Sequence, residues 1–167
     1  LPQPRGELPG TVLQTVPLPG PLLAGGAEQL QEAITPKTKV LLYSSPCNPS
    51  GSYYTYDELK ALADVIAKNP HVTVISDEIY EFINYETTHR SIASFPEIYE
   101  QVAVINGMSK GYAMTGWRIG YSACPEWLAK ACDKIQGQMT SGANTIAQRA
   151  AITALKTDPS EYKYMID

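Results

Sequence analysis

Short apolar runs alternate along the chain with segments whose apolar residues recur at helical spacing. Four runs predict β-strands, within 39–45, 72–75, 102–105 and 119–123. Apolar residues three and four positions apart predict helices starting near Ala27, after Thr55 and after Pro125, and a further one through Ala147–Ala154. Strands separated by helical segments indicate parallel βαβ units, and therefore a three-layer α/β fold with a mostly parallel sheet.

Capping residues define several helix ends. Thr55 and Glu58 form a capping-box pattern before an apolar face that consists of Leu59, Leu62, Ala63 and Ile66. After Pro125, the residues that share a helical face are Leu128, Ala131, Cys132 and Ile135. Near the end of the chain, Asp158-Pro159-Ser160-Glu161 combines an N-cap, a proline at N1 and an acid at N3. This last pattern predicts the start of another helix.

Residues 1–26 differ from the rest of the chain in composition. They contain six of the thirteen prolines and five of the twelve glycines, and they show no sustained helical or strand period. Such a composition favours a flexible or polyproline-like lead-in.

Composition and charge exclude several functional classes. The 167 residues are 44% hydrophobic and 18% charged, with a net charge of −4, which is typical of a globular domain. Lysine and arginine form no stripe, so nucleic acid is not expected as a partner. No apolar run reaches the length of a membrane span, and no secretory signal is recognisable. Three widely spaced cysteines favour reduced thiols in the cytoplasm, and with two histidines they predict no metal site.

Chemically informative residues follow three of the predicted strands, where ligands bind in parallel α/β sheets. The first strand is followed by Ser44–Gly51, the second by Ser76–Tyr80, and the third by the loop that contains Lys110. Taken separately, these segments are also compatible with a turn, a helix cap and an ordinary solvated lysine.

Together, the three segments resemble the class I and II aminotransferases, the pyridoxal-phosphate enzymes of the aspartate-aminotransferase type. The matching motifs occur in the family's order: Asn48-Pro49-Ser50-Gly51, Asp77-x-x-Tyr80, Ser109-Lys110, and Gly116-Trp117-Arg118-Ile119-Gly120. One position departs from the family pattern, because Gly107 stands where the family usually has a serine or threonine that touches the cofactor phosphate. The resemblance begins near Ala27. It implies a partial cofactor-binding large domain over 27–157, and over 158–167 the start of a helix leading toward a small domain.

The resemblance also implies a role for each matching residue. Asn48 would donate to the ring oxygen of pyridoxal 5'-phosphate and help to hold the substrate carboxylate. Asp77 would keep the pyridine nitrogen protonated, and Tyr80 would stabilise the ring oxygen. Lys110 would form the Schiff base and then act as general base and acid. Arg118 and Ser109 would contact the phosphate. Glu78 is interpreted as a solvated or helix-start charge.

The implied function is a transaminase that moves an amino group between an aspartate-like or related amino acid and a 2-oxo acid. A pyridoxal-phosphate-dependent lyase of the same fold is an alternative. Another is a non-catalytic fragment, because the family's phosphate loop and ring-stacking aromatic are not identifiable in residues 1–26. The arginine that binds the substrate carboxylate is expected after Asp167. The family implies a homodimer for the full-length enzyme, and the cysteine pattern favours the cytoplasm.

Overall fold

The computed structural model describes residues 26–85 and 88–165 of the chain. The predicted lead-in therefore lies outside the described residues, except for Gly26. The helices are α1 (Gly26–Ala33), α2 (Tyr56–Ala67), α3 (Glu126–Met139) and α4 (Thr145–Lys156). The strands are β1 (Val40–Ser44), β2 (Thr73–Asp77), β3 (Val102–Gly107) and β4 (Gly120–Ala123). All four predicted strands and all of the predicted helices between residues 27 and 157 are present.

The strands form one sheet in the order β1-β2-β3-β4. The first three are parallel, and β4 runs antiparallel to β3, so the prediction of a mostly parallel sheet is confirmed. The last strand reverses because the β3–β4 connection contains only the short 3₁₀ turn Thr115–Trp117 and no crossover helix. In register, Asp77 lies between Ser44 on β1 and Ile105 on β3. The carboxyl ends of the three parallel strands therefore meet at one edge of the sheet.

One face of the sheet carries the hydrophobic core. Helix α2 buries Leu59, Leu62 and Ile66 against it, and Val74 of β2 is fully buried between them and the neighbouring strands. The predicted capping box fixes the start of α2, since the Thr55 backbone N–H donates to Oε2 of Glu58 at 2.8 Å. The capping box thereby defines where this packed helix begins.

The opposite face of the sheet is partly exposed within the described residues. Val40 and Leu42 of β1 are 52% and 68% exposed, and Ile105 of β3 is 38% exposed. Helix α3 forms as predicted, but none of its residues is buried, and Ile135 on its predicted apolar face is 61% exposed. The described residues thus leave apolar side chains of this sheet face and of α3 exposed.

The predicted helix start at Asp158 has the expected cap but a different continuation. Oδ1 of Asp158 accepts hydrogen bonds from the backbone N–H and the hydroxyl of Ser160, at 2.8 and 2.7 Å. Two 3₁₀ turns follow, Pro159–Glu161 and Lys163–Met165, in place of an α-helix over the described residues.

None of the helices seen between residues 26 and 165 has the length and apolar character needed to cross a bilayer.

Candidate active site

The loop after β1 presents Asn48 at the edge of the sheet. Its base is closed by two backbone hydrogen bonds of 2.8 Å, from Gly51 N to Cys47 O and from Cys47 N to Ser52 O. Gly51 adopts a φ of +71°, which favours glycine at this turn. The Ser45 N–H donates to the carbonyl of Asp77 at 3.1 Å, so this loop is joined directly to the end of β2.

Asp77 is the last residue of β2, and Tyr80 lies in the turn that follows. Oδ1 of Asp77 accepts a hydrogen bond of 3.2 Å from the Ile79 N–H, which fixes the direction of the carboxylate. The side-chain amide of Asn48 donates to the hydroxyl of Tyr80 at 3.0 Å. These two residues are 32 positions apart, and the parallel pairing of β1 with β2 brings them together.

Lys110 reaches the same place from the third strand. Its Nζ lies 5.6 Å from the centre of the Tyr80 ring, and its side chain is exposed to solvent. The loop that carries it is tightly folded, because Ala113 N donates to Lys110 O at 3.0 Å and Met114 N donates to Met108 O at 3.2 Å. A primary amine, a phenol and a carboxamide therefore converge at one sheet edge, beside the carboxylate that ends β2.

Gly107, the departure from the family pattern, has a structural explanation. A Cβ atom at this position would lie 2.8 Å from Cα of Gly120 and 3.0 Å from the carbonyl oxygen of Ile119. Both neighbours are backbone atoms of the antiparallel β4 strand and the residue before it. Only glycine fits here without a shift of the backbone, so a serine or threonine hydroxyl has no room at this point of the chain.

An aromatic cluster, defined by Phe82, Tyr112 and Tyr162, supports the lysine loop from behind. The Phe82 side chain occupies the space next to Gly111, where a Cβ atom would lie 2.7 Å from its ring. Phe82 packs edge-on against Tyr112 with a ring separation of 5.3 Å, and Tyr112 packs against Tyr162 at 5.1 Å. Burial raises the pKa of the Tyr112 hydroxyl above its ordinary value. The cluster restrains the residues directly after Lys110.

Arg118 lies at the end of the lysine loop, in a left-handed conformation with a φ of 51°. Its Nη1 donates to the carbonyl of Thr115 at 3.0 Å, and its side chain borders an open groove of about 560 Å³ between this loop and the start of α4. Ser109 is half-buried beside Lys110. The phosphate contacts of Arg118 and Ser109 remain predictions.

Glu78 is the residue whose sequence interpretation was wrong. It is only 2% exposed and is followed by a turn, whereas a solvated or helix-start charge was expected. Its carboxylate accepts hydrogen bonds from the hydroxyls of Ser76 and Ser91 and from Nε2 of His89, each at 2.8 Å. A buried carboxylate is stable only when donors satisfy it in this way. Ser76 lies two residues earlier on β2, whereas His89 and Ser91 lie in one loop more than ten positions along the chain, so no local pattern around Glu78 reveals these two donors.

Three side chains of types that also bind metal ions meet in this network. The ligand atoms of Glu78, Glu81 and His89 lie within 4.8 Å of one another. The sequence predicted no such group. Both oxygens of Glu78 already accept protein hydrogen bonds. We therefore interpret the arrangement as a hydrogen-bonded polar network and not as a metal site.

Glu81 gives a pH-dependent prediction. Burial raises its pKa above the ordinary value of 4.5, although the His89 charge and a hydrogen bond from Asn106 oppose the shift. The unfolded state then ionises more readily, so the protein loses stability as pH rises from 4.5 through the raised pKa. Glu81→Gln, which stays neutral, is expected to become progressively more stable than the wild type across this range. Urea unfolding from pH 4 to pH 7 measures the difference, and Glu100→Gln, at an exposed position, should show none.

Comparisons with known proteins agree with this geometry. The sequence model of the family described as aminotransferase class I and II matches residues 24–166. A probable aspartate/prephenate aminotransferase of Rhizobium leguminosarum bv. phaseoli is 53% identical over 131 residues, which cover 77% of this chain and 33% of the relative. A bifunctional aspartate aminotransferase and glutamate/aspartate-prephenate aminotransferase of Petunia hybrida is 48% identical over 75% of this chain and 26% of its own length.

Solved structures give the same result. The aspartate aminotransferase of Rhizobium meliloti matches with a TM-score of 0.80 at 40% identity, over 83% of this chain and 35% of that protein. The Thermus thermophilus aspartate aminotransferase with maleate matches with a TM-score of 0.74 at 41% identity, over 78% of this chain and 33% of that protein. The chain spans about a third of the length of these relatives.

Proposed function

Because this chain belongs to the class I and II aminotransferases, we propose that it contributes the lysine-bearing part of a pyridoxal-phosphate-dependent transaminase. The reaction would move an amino group between an aspartate-like amino acid and a 2-oxo acid. The observation that carries the proposal is the approach of Lys110 Nζ to within 5.6 Å of the Tyr80 ring, whose hydroxyl already bonds to Asn48. An amine positioned beside ring-oxygen donors is the arrangement that a pyridoxal aldehyde requires.

Residues at the sheet edge and in the lysine loop offer partners for the ring nitrogen, the ring oxygen and the phosphate of pyridoxal phosphate, although Gly107 lacks one phosphate contact of the family pattern. When bound, the cofactor supplies an electron sink for the negative charge that develops at the substrate Cα. Asp77, fixed by its bond to Ile79 N, would hold a proton on the ring nitrogen. Tyr80 and Asn48 would donate to the ring oxygen. Arg118 and Ser109 would bind the phosphate after the Arg118 side chain leaves the Thr115 carbonyl.

Lys110 would perform two tasks in succession. Its amine would first attach the cofactor covalently, and after displacement by the substrate amine it would carry the proton to and from Cα. Its exposure makes it accessible to an incoming aldehyde, and the tight loop around it limits the positions that Nζ can reach. Asn48 is exposed at the same edge and would also contact the substrate carboxylate.

The proposed substrates follow the names of the relatives, which include aspartate and prephenate aminotransferases. We extend the proposal to a large domain over residues 27–157 and to a homodimer of the full-length enzyme in the cytoplasm. The partly exposed sheet face and the exposed apolar side chains of α3 support burial by further protein surface. The same observation supports the competing view that the 167-residue chain by itself is non-catalytic, and turnover by this chain would refute that view.

A substrate panel tests the reaction class. The longest natural protein that contains this chain should transfer the amino group of aspartate to 2-oxoglutarate. Product analysis should also be run with prephenate as the amino acceptor. Cleavage of cystathionine without amino transfer would instead favour the lyase alternative. Absence of both activities in a protein that binds the cofactor would contradict the proposed function.

Asp77 gives a sharper test of the cofactor assignment. Asp77→Ala removes the charge that would stabilise the ring proton, and we expect kcat to fall by roughly 10²–10³-fold, the range observed when one group that stabilises transition-state charge is lost. Steady-state transamination kinetics measure the change. Asp133→Ala, at an exposed position of α3, is the matched control and should leave kcat unchanged. A variant at Asp77 with full activity would remove this residue from the site.

A further inference from the structure

Glu78 is buried directly behind the candidate site, and all of its polar contacts are made by the protein. Oε1 accepts from Ser76 Oγ and Ser91 Oγ, and Oε2 lies 2.8 Å from His89 Nε2, which must be the donor if the carboxylate is ionised. The His89 side chain is itself only 14% exposed. Such a network is rigid when every member is satisfied, and it is costly to disturb.

The network joins the two ends of the segment that carries Tyr80. Glu78 lies at the start of this segment, and His89 and Ser91 lie at its far end. Between them, the turn around Tyr80 is held by hydrogen bonds of 2.9 Å from Glu81 N to Glu78 O and from Ile83 N to Tyr80 O. Glu78 and Tyr80 therefore belong to one hydrogen-bonded turn.

The same residue is joined to the strand that leads to Lys110. The Glu78 N–H donates to the carbonyl of Ile105 on β3 at 2.9 Å. The next residue of β3, Asn106, is buried, and its side-chain carbonyl accepts a bond of 2.7 Å from Gly107 N at the start of the lysine loop. Phe82, which belongs to the Tyr80 segment, fills the space beside Gly111. A shift of the segment would thus reach both the phenol and the amine of the site.

We infer that Glu78 is a positioning residue: its buried carboxylate, held by His89 and Ser91, keeps the Tyr80 hydroxyl against Asn48 and the Tyr80 ring beneath Lys110. Asp77 and Glu78 thus have different roles at the end of β2. The half-buried Asp77 lies at the sheet edge where the candidate site is, and the buried Glu78 anchors the following turn. The consequence for catalysis rests on the proposed function, whereas the anchoring itself does not.

The anchoring can be measured in the 167-residue chain without cofactor. In Glu78→Gln, which keeps the shape but loses the charge, we expect amide hydrogen exchange of residues 79–83 to accelerate at least about tenfold, because one hydrogen bond to a buried charge is lost. The NMR signal of the Asn48 side-chain amide, the donor to Tyr80, should shift at the same time. Ser91→Ala removes one donor to Glu78, together with the 3.2 Å bond that the Ser91 hydroxyl accepts from Ala93 N, and it provides a second variant if Glu78→Gln does not fold. Glu100→Gln is the exposed control.

A second readout connects the anchor to the cofactor. In the longest natural protein loaded with pyridoxal phosphate, loss of the Tyr80 hydroxyl in Tyr80→Phe should raise the pKa of the lysine-linked chromophore, because a donor to the ring oxygen disappears. Glu78→Gln should move this spectrophotometric pKa in the same direction, and the double variant should add little to Tyr80→Phe. Glu100→Gln should leave it in place.

The possible results separate the two proposals. If Glu78→Gln lowers the melting temperature but leaves both the Asn48 signal and the chromophore pKa unchanged, Glu78 is merely structural and the inference is overturned. If no chromophore forms in any variant, including the wild type, the proposed function fails, and the exchange and NMR measurements still decide whether Glu78 positions Tyr80.

Discussion

Replacing Lys110 by alanine is expected to abolish covalent attachment of pyridoxal phosphate at this site and to lower transamination by at least about 10³-fold, because one amine serves as both attachment point and proton carrier. The structure places Nζ 5.6 Å from the Tyr80 ring, where no second lysine among the described residues has a comparable position. Neighbouring side chains cannot replace an amine in Schiff-base formation, so the loss should be severe at any pH.

Trapping of the adduct provides the measurement. Borohydride reduction after incubation with pyridoxal phosphate converts the imine to a stable amine, and peptide mass mapping then locates the modified lysine. Lys130→Ala is the matched control, since Lys130 is an exposed lysine of α3 that pairs with Glu126 one helical turn away. Labelling should survive in this control and disappear from the 107–118 region in Lys110→Ala. Unchanged labelling at another lysine, with activity retained, would move the attachment site away from Lys110.

The elements that the sequence predicts well are those with local signals. Thr55 and Glu58 form the capping box that their spacing indicates, and β2 and β3 coincide closely with short apolar runs. The placement of Asn48 and Tyr80 also follows once β1 and β2 are parallel neighbours, because both residues come after the carboxyl end of a strand. The strand order and the hydrogen bond between Asn48 and Tyr80 belong to the tertiary structure, which the sequence pattern suggests but does not specify.

Burial at Glu78 could not be predicted in the same way. A glutamate after a strand end is exposed in most sequences, and here its environment is decided by His89 and Ser91, more than ten positions along the chain. Helix α3 differs from its prediction in the opposite direction, because it is more exposed than its apolar pattern suggests. Its periodicity correctly predicts an apolar face with Ile135, yet periodicity does not say what covers that face, and the described residues leave it exposed.

Gly107→Ser, which would restore the hydroxyl of the family pattern, is expected to destabilise this protein by about 1–3 kcal/mol, as overpacking of a tight site does. A Cβ atom would lie 2.8 Å from the Gly120 Cα and 3.0 Å from the Ile119 carbonyl oxygen, and neither backbone atom can rotate away. The strain would fall on the β3–β4 pair, where Gly107 is opposite Gly120. Because Lys110 follows three residues later, cofactor attachment should weaken together with stability.

Gly116→Ser separates this steric cause from a general loss of glycine flexibility. Gly116 lies in the same loop, but a Cβ atom there would meet no heavy atom within 4 Å. Urea unfolding of the two variants should therefore show a clear loss for Gly107→Ser and a change within about 0.5 kcal/mol for Gly116→Ser, as for most surface substitutions. Wild-type stability in Gly107→Ser would mean that β4 can move away from β3, and that the glycine at this position is a tolerated departure and not a packing requirement.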